Sequence, residues 1–359
     1  MPLILPGNVA SATAVAGYDI ANSCRFNTGD SAYLSLTFGT PSNVDRWTAS
    51  CWVKRGTFAT DQVTIGAGDA GSNEEKAVYF KETNVSDQAF WQQYISSSTT
   101  GALNTTQVFR DPSAWFHLVL VYDSANGTAG NRMRMYVNGT EVTAFATDTN
   151  PSSGTDSLVN SVIAHNIGCA QNRSSAFFDG YMAEFVFCDG QAYAASDFGE
   201  FDNASPTIWK PKDPSDLTFG DNGFWLDFED SSALGNDVSG NNNDWTANNL
   251  DATDQATDTP TNNFCTLNPV ATTNSIGDDL TFSEGNCKIT NTSGGAWHPA
   301  IGTIAPTNGK WYCEFKCTTI GGASRYSVMD PVHYGDAVNN VNSIRSYGYE
   351  YSDGGATGP

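Results

Sequence analysis

Residues 132–145 read RMRMYVNGTEVTAF, and the Asn138-Gly139 pair at their centre restricts what this chain can fold into more than any other feature. A two-residue hairpin turn holds both central residues at positive φ, which Asn and Gly tolerate best, so the runs flanking Asn-Gly pair as antiparallel strands. On the approach, Met133, Met135 and Val137 alternate with Arg132, Arg134 and Tyr136. Just upstream, residues 115–122 (WFHLVLVY) are apolar on both alternating faces, with Trp115, Val119 and Val121 on one and Phe116, Leu118, Leu120 and Tyr122 on the other. A strand apolar on both faces belongs to a sheet packed on both sides.

The same alternation predicts strands over residues 30–38, 47–54, 77–81, 89–95, 162–167 and 180–188. No long stretch has the period of an amphipathic helix. With 9 Trp, 14 Tyr and 20 Phe among abundant Gly, Asn, Ser and Thr, the expected class is all-β, short strands joined by polar turns. Residues 66–76, 96–106 and 123–131 read as long polar loops, the places where a rigid sandwich usually carries its binding residues.

The motif Trp115-Phe116-His117-Leu118-Val119 followed by Tyr136-Val137-Asn138-Gly139 with Val142 resembles the laminin-G/pentraxin group of concanavalin A-like jelly-roll domains. Arg25-Phe26-Asn27 with Tyr33-Leu34, and residues 47–55 (WTASCWVKR), are similar to that group's opening strands; residues 178–185 (FDGYMAEF) are similar to its closing strand. The series continues through Asp189-Gly190-Gln191 and residues 196–199, and as a whole is similar to large virion proteins of marine tailed bacteriophages. That resemblance implies a jelly-roll sandwich, synthesis in a host cytoplasm and a place on the virion.

The expected organisation is an N-terminal arm over residues 1–20, a laminin-G-like jelly-roll domain over 21–200, a junction with one strand and a polar linker over 201–263, and a further module over 264–359. In that last module Trp297-His298-Pro299 and residues 309–315 (GKWYCEF) resemble the opening of a SPRY domain, although fewer than 100 residues are present, too few for a full sandwich. Either the module is cut short or a neighbouring chain completes its sheet.

The chain carries 39 acidic against 17 basic residues, a formal charge of −22, which repels polyanions and argues against nucleic-acid binding. The N-terminus lacks a basic residue ahead of its apolar start and is broken by prolines, so it makes a poor signal peptide; no apolar run is long enough to cross a bilayer. The eight cysteines are scattered through apolar strand patterns and read as reduced packing residues. Cys313 and Cys317 share a strand face but stand about 13 Å apart, too far to bridge.

No catalytic residues are assigned. Glycanases of the resembled fold need two carboxylates aimed at one glycosidic bond, and the E-x-D-x-x-E strand of laminarinase-type families does not occur here. Asp227 and Glu229 share a strand face but read as exposed surface, and His117 reads as a satisfied core histidine. Calcium is the one cofactor expected from the resemblance, with Asp237, Asn241, Asn243 and Asp244 as the densest oxygen cluster; the alternative is an Asx-rich turn. Trp91, Tyr94 and Trp245 are the aromatic candidates for a glycan platform. The expected function is a non-enzymatic tail-fibre or appendage protein that binds a host-surface polysaccharide. The alternatives are a capsid or tail decoration protein and, less favoured, a glycan-degrading enzyme. Other virion proteins are expected partners, with a homo-oligomer, a trimer in a fibre, and no membrane insertion.

Overall fold

The computed structural model describes residues 17–69, 72–81, 87–270, 280–291, 300–305, 311–316, 318, 324–328, 347–352 and 355–357. They fall into two compact units, one ending at Asn263 and one from Phe264 onward. The strands of the first unit are β1 (Ser23–Phe26), β2 (Tyr33–Thr37), β3 (Arg46–Arg55), β4 (Gln62–Asp69), β5 (Asn73–Lys81) and β6 (Gln88–Ile95). They continue with β7 (Ser98–Val108), β8 (Phe116–Asp123), β9 (Met133–Val137), β10 (Thr140–Glu141), β11 (Phe145–Thr149) and β12 (Ala164–Ile167). The last are β13 (Gly180–Asp189), β14 (Gly199–Phe201), β15 (Trp209–Pro211), β16 (Phe224–Leu226), β17 (Thr246–Asn248) and β18 (Gln255–Ala256).

Two eight-stranded antiparallel sheets result. The first runs β10-β9-β8-β3-β13-β1-β18, with β16 also on β13; the second runs β11-β7-β6-β5-β4-β12-β2-β17. Asn138 and Gly139 both have positive φ (47° and 75°), and β9 and β10 pair across them, as the Asn-Gly pair requires. The core lies between the sheets. Trp47, Ala49, Cys51 and Val53 of β3 and Leu118, Leu120 and Tyr122 of β8 meet Ile65, Ala67, Phe80, Trp91 and Leu103 of the opposite sheet. Both faces of β8 are covered, since Val119 and Val121 bury in a second cluster on the outside of the first sheet.

Three sequence expectations change. Residues 66–76 and 96–106 are not loops: they lie mostly in the β4-β5 and β6-β7 hairpins. In the second hairpin Ser96 and Ser97 both take positive φ, so two serines make a turn that composition assigns to Asn or Gly. The segment 201–263 is not merely a junction and linker, because it adds strands to both sheets. β16 pairs with Phe185–Phe187, β17 with β2, and β18 with β1. Short polar strands like these draw their burial from what they pair with, so their own hydropathy does not reveal them.

Glu75 and Arg55 are among the ionisable groups sealed within this unit. The Glu75 carboxylate, 0% exposed, accepts from Trp91 Nε1 (3.0 Å), Ser157 Oγ (2.8 Å) and the Leu158 and Val159 amides (2.8 and 3.2 Å). Arg55, 1% exposed, reaches from β3 to Asp87 Oδ1 at the start of β6 (2.9 Å) and to the Phe109 carbonyl (2.8 Å), with its guanidinium 4.3 Å from the Phe80 ring. Burial pulls the Arg55 pKa down to about 10 despite its partner. Burial alone would raise the Asp87 carboxyl, but the Ala59 N–H and the charges of Arg55 and Arg110 outweigh it and lower its pKa.

In the second unit the strands are β19 (Leu280–Ser283) and β20 (Lys288–Asn291), which form a hairpin, and β21 (Ser324–Val328), β22 (Tyr347–Ser352) and β23 (Gly355–Thr357), which form a small sheet. Residues 311–316, expected as a strand, carry no strand pairing, and Trp311, Tyr312 and Phe315 are exposed. Residues 1–16 of the expected arm, Trp297-His298-Pro299 and Cys317 lie outside the described residues. Seven cysteines are described and all are free thiols; five are buried as expected, but Cys287 and Cys313 are exposed rather than packed. Among the described residues no helix is long and apolar enough to cross a membrane.

Removing Asp87 would leave the Arg55 charge buried without its carboxylate. Asp87→Ala is therefore expected to destabilise the first unit by about 3–5 kcal/mol, read from guanidinium unfolding followed by tryptophan fluorescence. A loss below about 1 kcal/mol would mean that this pair behaves like a surface ion pair.

Candidate functional site

Each sheet turns one face to the core and one outward, so the question of function reduces to what the two outer faces present. The outer face of the first sheet is covered. Val119, Val121, Val186 and Cys188 pack under Ala195, Phe198 and Phe219, with Trp209, Leu217 and Trp225 at the margin. Beside them Ile20, Trp52 and Ala183 pack with Tyr18 and Trp115.

Two polar constellations are enclosed beneath this cover. His117, 1% exposed, lies with its ring stacked on Trp52 (4.7 Å between centroids) and near Trp209 (6.1 Å). Trp209 Nε1 donates to His117 Nδ1 at 3.0 Å, and His117 Nε2 stands 2.8 Å from Ser50 Oγ. An indole N–H only donates, so Nδ1 is unprotonated and the ring proton sits on Nε2, donating to Ser50. The histidine therefore cannot take the serine's proton, and burial lowers its pKa to about 3. Ser50-His117 is a packing contact and not a nucleophile with its base.

Glu184 stands at a bulge in β13, where the register against β3 shifts between Ala183 and Val186, and its φ is 48°. Tyr18 Oη (3.1 Å) and Trp225 Nε1 (3.0 Å) donate to its two oxygens. Burial, then the negative charges of Asp227 and Asp213, raise its pKa to about 8 against the pull of those donors. It is 6% exposed, at the base of a small recess shared with Ser50 and His117, and both of its oxygens are engaged. Asp227 and Glu229 lie past the end of β16 and not on one strand face: Asp227 is half-buried and accepts from the Glu229 amide (3.0 Å), and only Glu229 is exposed.

The outer face of the second sheet differs across its width. Over β4 the chain at residues 168–177 lies close, with Ala170 and Ala176 against Val63 and Tyr79. A Cβ on Gly66 would stand 3.1 Å from the Cys169 carbonyl oxygen. Phe90 of β6 borders this same apolar cluster, and beyond it the face over β6 and β7 is half-exposed among the described residues. Registry sets Glu74 beside Tyr94, Lys76 beside Gln92, and Phe90 between Tyr79 and Asn104.

Lys76 Nζ bonds Glu74 Oε1 (2.6 Å) and lies 4.9 Å from the Tyr79 ring; Tyr79 Oη donates to Asp61 Oδ2 (2.5 Å). Asn104 Nδ2 donates to Gln88 Oε1 (3.1 Å), and the Tyr79 and Phe90 rings are 6.2 Å apart. Phe90, Gln92, Tyr94 and Asn104 are all half-buried. Half-exposed rings set among amides and a charge pair make a shallow face able to pack an apolar ring surface and bond hydroxyls at its border.

The aromatic expectations are thereby sorted. Trp91 and Tyr94, three residues apart on β6, point to opposite faces. Trp91 is 0% exposed, 5.2 Å from Trp47 in the core, so it is not a platform residue; Tyr94 lies on the half-exposed face. Trp245 is 4% exposed and packs edge-on to Phe224 (5.0 Å) and Phe38 (6.0 Å), which removes it also. Phe90, Gln92, Lys76, Glu74 and Asn104 escaped the sequence reading, although stepping by two from Tyr94 finds Gln92 and Phe90.

The residues expected to hold calcium form a different structure. Asp237 Oδ1 accepts from the Trp225 and Ser239 amides (2.9 Å each), and Oδ2 from Ser239 Oγ and the Asn243 amide (2.9 Å each). Asp244 Oδ1 accepts from the Asp237 amide (2.9 Å). Asn241 Nδ2 donates to the Gly220 and Gly223 carbonyls, and Asn243 Nδ2 to those of Asp221 and Gly223. Four donors fill the lone pairs of Asp237, so the set does not fit a calcium cage; it is an Asx-rich clasp holding residues 237–244 to residues 220–225. Among the described residues no three His, Cys, Asp or Glu side chains converge as metal ligands.

Comparison with known proteins accords with this architecture. Residues 27–195 match the family model described as the concanavalin A-like lectin/glucanases superfamily. Similar solved structures include a protein from Bacteroides ovatus proposed to bind carbohydrate (17% identity, TM-score 0.45, covering 64% of this chain). This chain spans 59% of that protein's length. A heptameric pentraxin from Limulus polyphemus is 16% identical, with TM-score 0.37, over 56% of this chain and 100% of its own. The LG4-5 domains of the mouse laminin alpha1 chain are 9% identical, with TM-score 0.35, over 50% of this chain and 45% of their own. No curated protein sequence matches.

Two predictions follow from the geometry. Because the folded pKa of Glu184 is raised from 4.5 to about 8, its stabilising contribution is complete below pH 4.5 and is lost as pH rises through 8. The unfolding free energy of the wild type relative to Glu184→Gln should decline across that interval; a flat difference would mean an ionised Glu184 throughout. Thermal midpoints measured with calcium and with a chelator should coincide for the Asp237 clasp, and a higher midpoint in calcium would reinstate a cation site.

Proposed function

With residues 27–195 forming a concanavalin A-like lectin/laminin-G domain, we propose that this chain is a non-enzymatic glycan-binding protein of a phage virion, a tail-fibre or appendage component. The polysaccharide lies across the half-exposed face of β5, β6 and β7. Tyr94 and Phe90 supply the apolar surface, and Gln92, Asn104, Lys76 and Glu74 supply hydroxyl partners. The observation that carries this reading is the contrast between the two outer faces, one covered by the chain's own residues 192–225 and the other presenting half-exposed rings beside amides.

The virion setting rests on the sequence resemblance of residues 25–199 to phage proteins and accords with free buried thiols, which suit a chain made in a reducing cytoplasm. The non-enzymatic reading is supported by how the acids sit. Glu184 is buried with both oxygens occupied, and the half-exposed face offers Glu74 already paired with Lys76. A glycosidase needs two carboxyls flanking one bond with a proton free to move.

The test is binding of the full chain to host-surface polysaccharide on an affinity gel or array. Tyr94→Ala and Gln92→Ala should each weaken retention about tenfold, equivalent to about 1.4 kcal/mol, with unchanged melting. Trp91→Ala should instead cost about 3–5 kcal/mol of stability. Failure to retain any polysaccharide, with immunogold label spread over the capsid or tail shaft, would replace this reading with the decoration role. Binding that survives both face substitutions would move the site elsewhere.

A further inference from the structure

We propose that Lys54 and Asn263 join through their side chains in a self-made isopeptide bond, with Asp258 as the proton carrier. Lys54 stands on the covered face of β3, one residue before the strand's end, and its side chain is 1% exposed. Nζ lies 2.7 Å from Asp258 Oδ2 and 2.8 Å from Asn263 Oδ1. Since Oδ1 is about 1.2 Å from the carbon that bears it, Nζ is within about 4 Å of Asn263 Cγ. Reacting atoms in a near-attack arrangement stand about 3–3.5 Å apart, so a small turn of the amide brings them there.

The other contacts fix the partners. Trp115 Nε1 donates to Asp258 Oδ1 (2.8 Å), which keeps Oδ2 on the amine. Asn263 Nδ2 donates to the Ser113 carbonyl (2.8 Å), which sets the carbonyl end of the amide toward Lys54. Ser23 Oγ donates to the Asp258 carbonyl (2.6 Å), and Ile20 and Thr261 exchange hydrogen bonds, so the segment that carries both groups is held at both ends. The Tyr181 ring lies 5.9 Å from Nζ and, with Trp115, screens the site from water.

The chemistry balances without an added reagent. To begin, the ammonium gives one proton to Asp258 across their 2.7 Å contact, leaving a neutral amine and a neutral acid. The amine lone pair forms the N–C bond to Asn263 Cγ, and the carbonyl oxygen takes the displaced electron pair. A second proton from the attacking nitrogen, relayed by Asp258, goes to Nδ2; the oxyanion collapses, the C–Nδ2 bond breaks and ammonia leaves. Ammonia then takes the Asp258 proton, so the products are an amide, an ammonium ion and an ionised Asp258. Only a folded chain can do this, because Lys54 and Asn263 are 209 residues apart in sequence.

The test is the mass of the intact full chain in denaturant, followed by peptide mapping. The expected result is a mass below that of the sequence by one ammonia and a branched peptide joining residues 54 and 263, with tryptic cleavage after Lys54 lost. Lys54→Arg keeps the charge beside Asp258 and so the fold, but has no nucleophile; it, Asn263→Ala and Asp258→Asn should each show the full mass. A folded wild type of full mass with an unlinked peptide ending at Lys54 would overturn the proposal. So would an ammonia loss that maps elsewhere, such as a succinimide at Asn138-Gly139.

Discussion

The Glu75 carboxylate is the point on which the first unit depends. Burial pushes its pKa upward, yet it is met by an indole, a hydroxyl and two backbone amides. Ser157 also accepts from Trp47 Nε1 (2.8 Å), so one carboxylate ties β5 and β6 of one sheet to β3 of the other through residues 157–159. Deleting it would leave those donors without a partner inside the core, which costs far more than the bonds are worth on a surface. A register slip of one residue would carry Glu75 outward and Lys76 inward, and the donor array makes that slip prohibitive. The inward position of Glu75 thereby dictates that Glu74 and Lys76 face out, and through the ladder that Trp91 faces in while Gln92 and Tyr94 face out. The composition of the half-exposed face is a consequence of a buried acid on its reverse side.

The strands that announce themselves in the sequence are those whose two faces differ or whose turn chemistry is specific. Residues 116–123 and 133–141 are legible because both faces of one are apolar and Asn-Gly closes the other. Residues 88–95 (QAFWQQYI) are legible as a strand but not as to which face is which, because aromatic and amide side chains occur on both. Choosing between Trp91 and Tyr94 needs the position of Glu75, sixteen residues from Trp91 in no local pattern. The segment 98–108 (STTGALNTTQV) is a strand by Thr propensity and by pairing, with hardly any apolar content of its own. Likewise Asp258 looks like part of a polar linker until Lys54, 204 residues away, is seen to need it.

That dependence on distant partners explains the asymmetry of the two outer faces. The chain after β13 returns over the first sheet, burying Trp209, Phe219 and Trp225 there, and its polar groups find fixed partners in His117, Glu184 and Lys54. The positive φ of Glu184 belongs to this return: the bulge that allows it re-aims the carboxylate toward Tyr18 and Trp225. Covering one face with the molecule's own chain leaves the other face as the broad sheet surface available to a ligand.

A shallow face of this kind sets the terms of recognition. It cannot enclose a sugar, so each contact trades water for a partly exposed partner and single-site affinity stays modest. On the proposed reading, strong attachment would require several copies on one polymer, where linkage makes later contacts effectively intramolecular. Net charge works in the same direction. At −22 the chain repels a polyanionic polymer beyond the screening length, while the locally neutral pair of Lys76 and Glu74 leaves the face itself without strong charge. On the proposed reading, a neutral, hydroxyl-rich polysaccharide with one apolar ring face would meet both conditions, since it is not repelled on approach and its ring face can lie against Tyr94 and Phe90.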